Sequence, residues 1–119
     1  SLDVLINEHG AAYKPAIAAG LQTVMASFNS WNGEKVHGNR ELLTDVLRGD
    51  LGFDGFVVSD WNGIGEVVGC GDDDCPHAIN AGIDMVMVPE DWLSTLENIV
   101  AQVQFLVCVG ASVEDLRRS

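Results

Sequence analysis

One supersecondary pattern, an apolar strand followed by a polar loop and a helix, recurs three times along this chain of 119 residues. Strands are predicted at residues 23–28, 56–59 and 84–88, each a short apolar run next to turn-forming residues. This repetition indicates parallel strands joined by right-handed crossovers. We therefore expect an α/β fold built from three consecutive β/α units.

The predicted helices alternate with these strands. The first lies between residues 3 and 19, with Pro15 and Gly20 as punctuation near its end. Asn39 is a suitable N-cap for a second helix through residue 48, which Gly49 and Gly52 end. A short helix is predicted at residues 76–81, and Asp91 starts a last helix with apolar residues at helical spacing.

Polar residues cluster after the predicted strands, at residues 29–32 and 60–62. In both barrels and open α/β sheets the functional site lies at the carboxyl ends of the strands. Three units cannot close an eight-stranded barrel, which needs about 250 residues. The pattern alone therefore leaves two readings open, a small open sheet or a part of a larger fold.

The composition excludes several classes of function. The formal net charge of −12 argues against binding to nucleic acid or to anionic membrane surfaces, both of which attract Lys and Arg. No apolar stretch approaches the roughly 20 residues that span a bilayer. Residues 1–9 lack the basic start and apolar run of a signal peptide, which carries no weight if the chain is a fragment.

The chain has three cysteines and three histidines. Cys70 and Cys75 lie in one short polar loop and could close as a disulfide, which would suit an oxidising compartment; the alternative is two free thiols. Cys108 lies in an apolar run and is expected to be buried. The histidines form no metal-ligand pair at helical spacing, and the acidic loop at residues 72–74 lacks the pattern of a calcium site, so no metal is expected.

Asp60 is the strongest candidate for chemistry, since it directly follows an apolar strand and precedes Trp61. A carboxylate at the mouth of a parallel strand can be held rigidly against a cleft, and a neighbouring Trp can stack on a sugar ring. Glycoside cleavage uses two such carboxyl groups flanking the scissile bond. From spacing alone, a turn or helix-capping Asp is an equally good interpretation.

Four segments resemble glycoside hydrolase family 3, in the order and spacing of that family. They are VMASFNSWNGEKVHGN at residues 24–39, LLTDVL at 42–47, GFDGFVVSDW at 52–61 and AGIDMVMVP at 81–89. The closest likeness is to the exo-acting β-glucosidases and β-glucan glucohydrolases of the family. The resemblance covers roughly residues 3–104. It implies that the three strands are the last three of a (β/α)8-like TIM barrel.

Carried over position by position, the resemblance implies roles for four residues. Asp60 matches the catalytic nucleophile, and Trp61 matches an aromatic residue that packs against the sugar in the leaving-group subsite. Met87 matches an apolar residue lining the glucose pocket. Phe28 occupies a position beside the nucleophile where many members have Tyr; a Tyr hydroxyl could hydrogen-bond the carboxylate, and Phe cannot.

The resemblance also implies a longer chain. The family's other sugar-binding residues come from earlier barrel strands, and its acid/base is usually a Glu in a following α/β sandwich domain. We therefore expect a partial barrel at residues 1–104 and a divergent tail at 105–119, whose Phe105-Leu-Val-Cys-Val-Gly segment departs from the family pattern. The implied activity is retaining hydrolysis of β-linked glucosides without a cofactor, in a periplasmic or secreted protein.

Two alternatives remain at this stage. The chain could be a truncated or degenerate partial barrel without catalytic function, since a three-stranded sheet would expose unpaired edges and apolar faces. A barrel enzyme using Lys35 as a Schiff base is weaker, because Lys35 lies among polar residues with nothing to lower its pKa. Asp84, before the third strand, is assigned a structural role.

Overall fold

The computed structural model describes residues 1–108, with side chains through residue 102. Its centre is a parallel pair of strands, β1 (Thr23–Met25) and β4 (Phe56–Val58), in the register Val24 to Val57. The predicted parallel pairing of the first two apolar runs is therefore confirmed. Both strands are shorter than expected at their carboxyl ends.

The third predicted strand, residues 84–88, forms only a single parallel bridge between Met85 and Val58. Two features of the hydrogen bonding explain the difference. Ser59 N donates to Met85 O (2.8 Å), but the next amide along the third segment, Met87 N, donates to the Ser59 hydroxyl (2.7 Å) instead of a backbone carbonyl. The third segment therefore runs parallel to β4, but the Ser59 hydroxyl takes the place of the backbone acceptor in what would be the next hydrogen bond of the ladder.

A small antiparallel hairpin follows β1 and was not predicted. Its strands are β2 (Ser30–Trp31) and β3 (Glu34–Lys35). Asn32 and Gly33 connect them with φ values of 50° and 83°. An Asn-Gly pair with both φ values positive is the preferred two-residue hairpin turn, because its twist matches that of the flanking strands.

The helices surround this sheet. Helix α1 (Leu2–Val4) continues in π-type turns at Leu5–His9, and α2 (Tyr13–Ala18) follows, so the expected first helix is broken near Gly10. A one-turn 3₁₀ helix, Val36–Gly38, leads to a π-helix, Glu41–Asp50.

A second 3₁₀ helix, Gly63–Glu66, follows β4. Helix α3 (Pro76–Ala81) has the predicted bounds, and α4 is Trp92–Cys108. In the part of the chain that the structure describes, no helix is both long and apolar enough to cross a membrane.

Local signals explain two of these helices. The Asn39 side chain accepts the Leu42 amide (2.9 Å), as an N-capping residue should, and the π-helix begins two residues after Asn39. Pro76 occupies the first turn of α3, where a missing amide proton costs nothing, and Gly82 ends that helix with φ 131°.

The core lies on one face of the sheet. Val24 and Val57 point into it, against apolar side chains of the π-helix and α3. Paired residues of parallel strands share a face, so Met25, Phe56 and Met85 lie on the opposite side, and they are 48, 43 and 54% exposed. The described chain thus covers one face of its sheet and leaves these three side chains uncovered on the other, where Val58 between them is buried.

Candidate functional site

Asp60 lies just beyond the carboxyl end of β4 and is half-buried. Residue 60 follows β4 two residues after Val58. Its Oδ1 accepts the amide of Trp61 (2.7 Å), while the Trp61 side chain is 56% exposed. The carboxylate is thus anchored by one oxygen beside an aromatic surface that a ligand could contact.

The backbone of Asp60 is held from both sides. Its N–H donates to Nε2 of His37 (2.9 Å). Its carbonyl accepts the hydroxyl of Ser59 and the amide of Gly63, each at 2.9 Å. The two peptide groups that flank the Cα of Asp60 are therefore both hydrogen-bonded, which restricts φ and ψ and with them the Cα–Cβ direction of Asp60.

Met87 is brought to the Asp60 loop by the same network. Its amide donates to the buried hydroxyl of Ser59 (2.7 Å), and its carbonyl accepts the amide of Asn62 (2.9 Å). Asn62 has a left-handed backbone (φ 52°), which turns the chain after Trp61 toward this contact. The side chain of Met87 is half-buried.

Phe28 reaches this region through His37. The two ring centroids are 6.0 Å apart and the planes are inclined by 47°, while Phe28 remains 43% exposed. A tilted ring contact of this kind can be attractive, and the Phe28 side chain has no group that could hydrogen-bond a carboxylate. Phe28 therefore supplies an apolar surface near Asp60.

His37 is the residue that sequence reasoning missed, since it was assigned no role. Its side chain is fully buried, and its Nδ1 has no hydrogen-bond partner among the described residues. Burial lowers the pKa of His37 below its ordinary value, against the opposing charges of Asp60 and Glu66; Lys35 adds to the lowering. The backbone of Ser27 faces the ring and also opposes the fall of the pKa, without reaching ordinary hydrogen-bond geometry. No local pattern marks this contact, because Asp60 lies 23 residues away.

Lys35 is engaged elsewhere. Its Nζ donates to the carbonyl of Phe28 (3.1 Å) and pairs with Glu66 at 3.5 Å. The nitrogen is thus occupied by a carbonyl and a carboxylate, and neither contact frees it to act as a Schiff-base nucleophile. The geometry supports a structural role for this side chain.

The loop after the second 3₁₀ helix is closed by a disulfide between Cys70 and Cys75, whose Cα atoms are 4.9 Å apart. Cys75 is buried and precedes α3, so the bond ties the loop to the core. Among residues 1–108, no group of three His, Cys, Asp or Glu side chains is arranged to hold a metal ion.

A cavity of about 340 Å³ lies away from Asp60. Apolar residues of the N-terminal helical segment, β1 and the π-helix line it, among them Leu5, Tyr13 and Leu43. Neither Asp60 nor Trp61 nor Met87 is part of its wall. The cavity is therefore separate from the candidate site at the strand ends.

A parallel α/β unit with a carboxylate at a strand end is a feature of many α/β enzymes, and this geometry alone does not choose among them. The family model described as "Glycosyl hydrolase family 3 N terminal domain" matches residues 1–118. The chain belongs to this family, as its sequence motifs implied.

Individual relatives give the same family. A beta-glucosidase of Rhizobium radiobacter is 42% identical over 86 residues, which are 72% of this chain and 9% of that protein. A periplasmic beta-glucosidase of Salmonella typhimurium is 36% identical over 101 residues, covering 81% of this chain and 13% of that protein.

Among solved structures, an exo-1,3/1,4-beta-glucanase from a Pseudoalteromonas species is similar with a TM-score of 0.80 and 57% identity. The match covers 82% of this chain and 12% of the glucanase. This chain thus spans about a tenth of the length of the proteins it matches.

Proposed function

We propose that this chain is the nucleophile-bearing part of a retaining glycoside hydrolase that releases glucose from β-glucosides or β-glucans. The observation that carries the proposal is the placement of Asp60, a carboxylate at the end of a buried parallel strand whose peptide is fixed from both sides. The activity named for the relatives, beta-glucosidase and exo-beta-glucanase, supports the choice of substrate class.

The mechanism we propose is double displacement. The ionised Asp60 attacks the anomeric carbon from the α face, the glycosidic bond breaks through an oxocarbenium-like transition state, and a covalent glycosyl-enzyme forms. A Glu outside this chain protonates the leaving oxygen and then activates the water that releases glucose. The Trp61 amide, bonded to Oδ1 of Asp60, leaves the other carboxylate oxygen available for attack.

The sugar contacts follow from the surfaces around Asp60. The exposed Trp61 ring is positioned to pack against the sugar of the leaving-group subsite, where aromatic faces match the apolar faces of pyranose rings. Met87 and Phe28 line the glucose pocket as apolar walls. Neither a cofactor nor a metal takes part in this chemistry.

The three β/α segments are proposed as the last three of a (β/α)8-like barrel, comprising residues 1–104, with residues 105–119 as a divergent tail. The uncovered sheet face supports this arrangement. Met25, Phe56 and Met85 lie on the side from which a closed barrel would exclude water. Further barrel strands and a C-terminal α/β sandwich domain would complete the site.

The alternative is a partial barrel without catalytic function. For the 119 residues in isolation, the same uncovered side chains favour this alternative over an active enzyme. The described sheet exposes three large apolar side chains and contains no second catalytic carboxyl assigned by any motif. We therefore expect negligible hydrolysis by this chain alone, and turnover only with the remaining strands and the acid/base.

A periplasmic or secreted location is proposed on two supports. The Salmonella relative is named periplasmic, and the Cys70–Cys75 disulfide is of the kind that persists in oxidising compartments.

The test replaces Asp60 by Ala in the full-length enzyme and measures release of an aryl leaving group from an aryl β-glucoside. Loss of the nucleophile should lower kcat/KM by about 10⁴-fold or more while the thermal unfolding midpoint stays near that of the parent. Asp54→Ala is the matched control, since Asp54 is exposed and precedes β4 at its opposite end. Turnover retained in Asp60→Ala would sink the assignment.

A further inference from the structure

A histidine that the proposed chemistry does not use lies directly behind the nucleophile. His37 ends no strand and faces no cleft; it belongs to the 3₁₀ helix Val36–Gly38, and its ring is fully buried. Its Nε2 accepts the N–H of Asp60 at 2.9 Å. A titratable ring is thus the acceptor that holds the peptide carrying the carboxylate.

The ring position is set by close packing as well as by this bond. A Cβ built on Gly63 would lie 2.2 Å from Nε2 of His37, so the ring approaches the backbone where only glycine leaves room. Phe28 contacts the ring from another side, with centroids 6.0 Å apart. Three segments, the loop after β1, the 3₁₀ helix Val36–Gly38 and the turn after β4, therefore meet at this imidazole.

The bond to Asp60 also fixes the protonation state of the ring. Nε2 can accept an N–H only through its lone pair, so the bonded ring is neutral and carries its proton on Nδ1. That Nδ1 is buried and has no hydrogen-bond partner among the described residues. A protonated ring would carry a proton on Nε2 as well, which faces the Asp60 N–H, and would leave the Asp60 amide unpaired.

We propose that His37 is a positioning residue for the Asp60 nucleophile, and that only its neutral form holds the Asp60 peptide in the geometry that turnover requires. The inference rests on the proposed function, because it assigns His37 a part in the work of Asp60. It adds His37 to the residues on which turnover depends, and it predicts a loss of activity at acid pH that the assignment of Asp60 alone does not predict.

Burial and the groups around the ring together determine the direction of that pH dependence. Asp60 and Glu66 favour the protonated ring, while Lys35 and burial favour the neutral one, with burial the largest effect. On the α3 side, Nε2 of His77 donates to the carbonyl oxygen of Gly38 (2.9 Å) and lies 3.6 Å from the carboxylate of Glu34.

The net result is a pKa below the ordinary value, so His37 is neutral at neutral pH. As the pH falls through this lowered pKa, the bond to Asp60 is lost and kcat should fall with it.

The experiment compares two His37 variants in the full-length enzyme, with kcat and KM for an aryl β-glucoside measured across the acid range. His37→Leu fills similar volume without an acceptor, and kcat should fall about ten- to a hundredfold, with KM changed less than about twofold. His37→Gln can place Oε1 near the position of Nε2 but does not titrate in this range. It should retain kcat within about threefold at neutral pH, and its acid limb should lie at lower pH than that of the parent.

Controls and contrary results separate the possibilities. His9→Gln makes the same substitution at an exposed histidine of the N-terminal helical segment and should leave the acid limb unchanged. A folded His37→Leu with parental kcat, or a His37→Gln with the parental acid limb, would overturn the inference. If His37→Leu does not fold, the His37→Gln profile decides alone.

Failure of the proposed function is seen separately. If Asp60→Ala keeps its turnover, the assignment of Asp60 as nucleophile is wrong, whatever the His37 variants show. If Asp60→Ala loses turnover but the His37 variants behave like the parent, only the positioning role of His37 is wrong.

Discussion

The packing of His37 against Gly63 gives a quantitative prediction for a single methyl group. In Gly63→Ala the added Cβ would lie 2.2 Å from Nε2 and 2.5 Å from Cε1 of the ring, well inside the 3.4 Å at which ordinary contact begins. Because His37 is fully buried, its ring cannot move away without displacing its neighbours. The substitution should therefore strain the core and pull Nε2 away from the Asp60 amide.

The magnitude follows from these two effects. Overpacking a well-packed site costs about 1–3 kcal/mol, and losing a typical hydrogen bond costs about 1 kcal/mol. We expect the free energy of unfolding to fall by about 3 kcal/mol in total. For a barrel domain this corresponds to a drop of roughly 6–12 °C in the thermal unfolding midpoint.

The assay is differential scanning calorimetry of the full-length enzyme, with Gly49→Ala as the matched control. Gly49 lies in the π-helix Glu41–Asp50, and a Cβ there would meet only Thr44 O at 3.8 Å. Alanine in a helix interior is favoured over glycine, so this control should gain about 0.5–1 kcal/mol. A Gly63→Ala variant that melts with the parent would refute the close packing on His37.

Two further predictions concern stability away from the site. The double variant Cys70→Ala/Cys75→Ala removes a crosslink between residues five apart; on the loop-entropy estimate this costs about 2 kcal/mol, and the parent should lose the same stability when reduced with dithiothreitol while the variant does not respond. Asp84 accepts the buried amide of Val57 (2.9 Å) and pairs with Arg48, so Asp84→Ala should cost about 1–3 kcal/mol by urea unfolding. Asp84→Asn should cost less, since its amide oxygen can still accept from Val57; equal losses in both would contradict the hydrogen-bond account.

Local signals made several elements predictable from the sequence. Pro76 at a helix start and Gly82 at its end are both short-range features, and they bracket α3 correctly. Asn39 capped its helix for the same reason. The apolar runs of β1 and β4 were recognisable because a parallel pair with one face in the core selects residues such as Val24 and Val57.

The errors arose where tertiary hydrogen bonds decide the local conformation. Residues 84–88 have the composition of a strand, but the Ser59 hydroxyl takes the Met87 amide that a backbone ladder would use. The sequence contained the signal for the hairpin, an Asn-Gly pair at residues 32–33, and it was read as a simple loop.

The candidate site was predictable in part for the same reason. Asp60 and Trp61 follow one strand directly, so the strand-end rule selects both as candidates, and the family likeness adds Phe28 and Met87; the roles of all four stay predictions. His37 could not be found this way, because its contact with Asp60 depends on two separate turns approaching at a glycine. Its role stays a proposal for the variants above.

The central claim, that Asp60 forms the covalent intermediate, can be tested most directly by trapping. The full-length enzyme is incubated with an activated 2-deoxy-2-fluoro-β-glucoside, whose fluorine slows both displacement steps so that the glycosyl-enzyme accumulates. After proteolysis, fragmentation mass spectrometry locates the label. We expect one fluoroglucosyl group, on Asp60 of the Ser59–Trp61 segment. A label on a different residue of an active enzyme, or product formed with inverted anomeric configuration, would contradict the account.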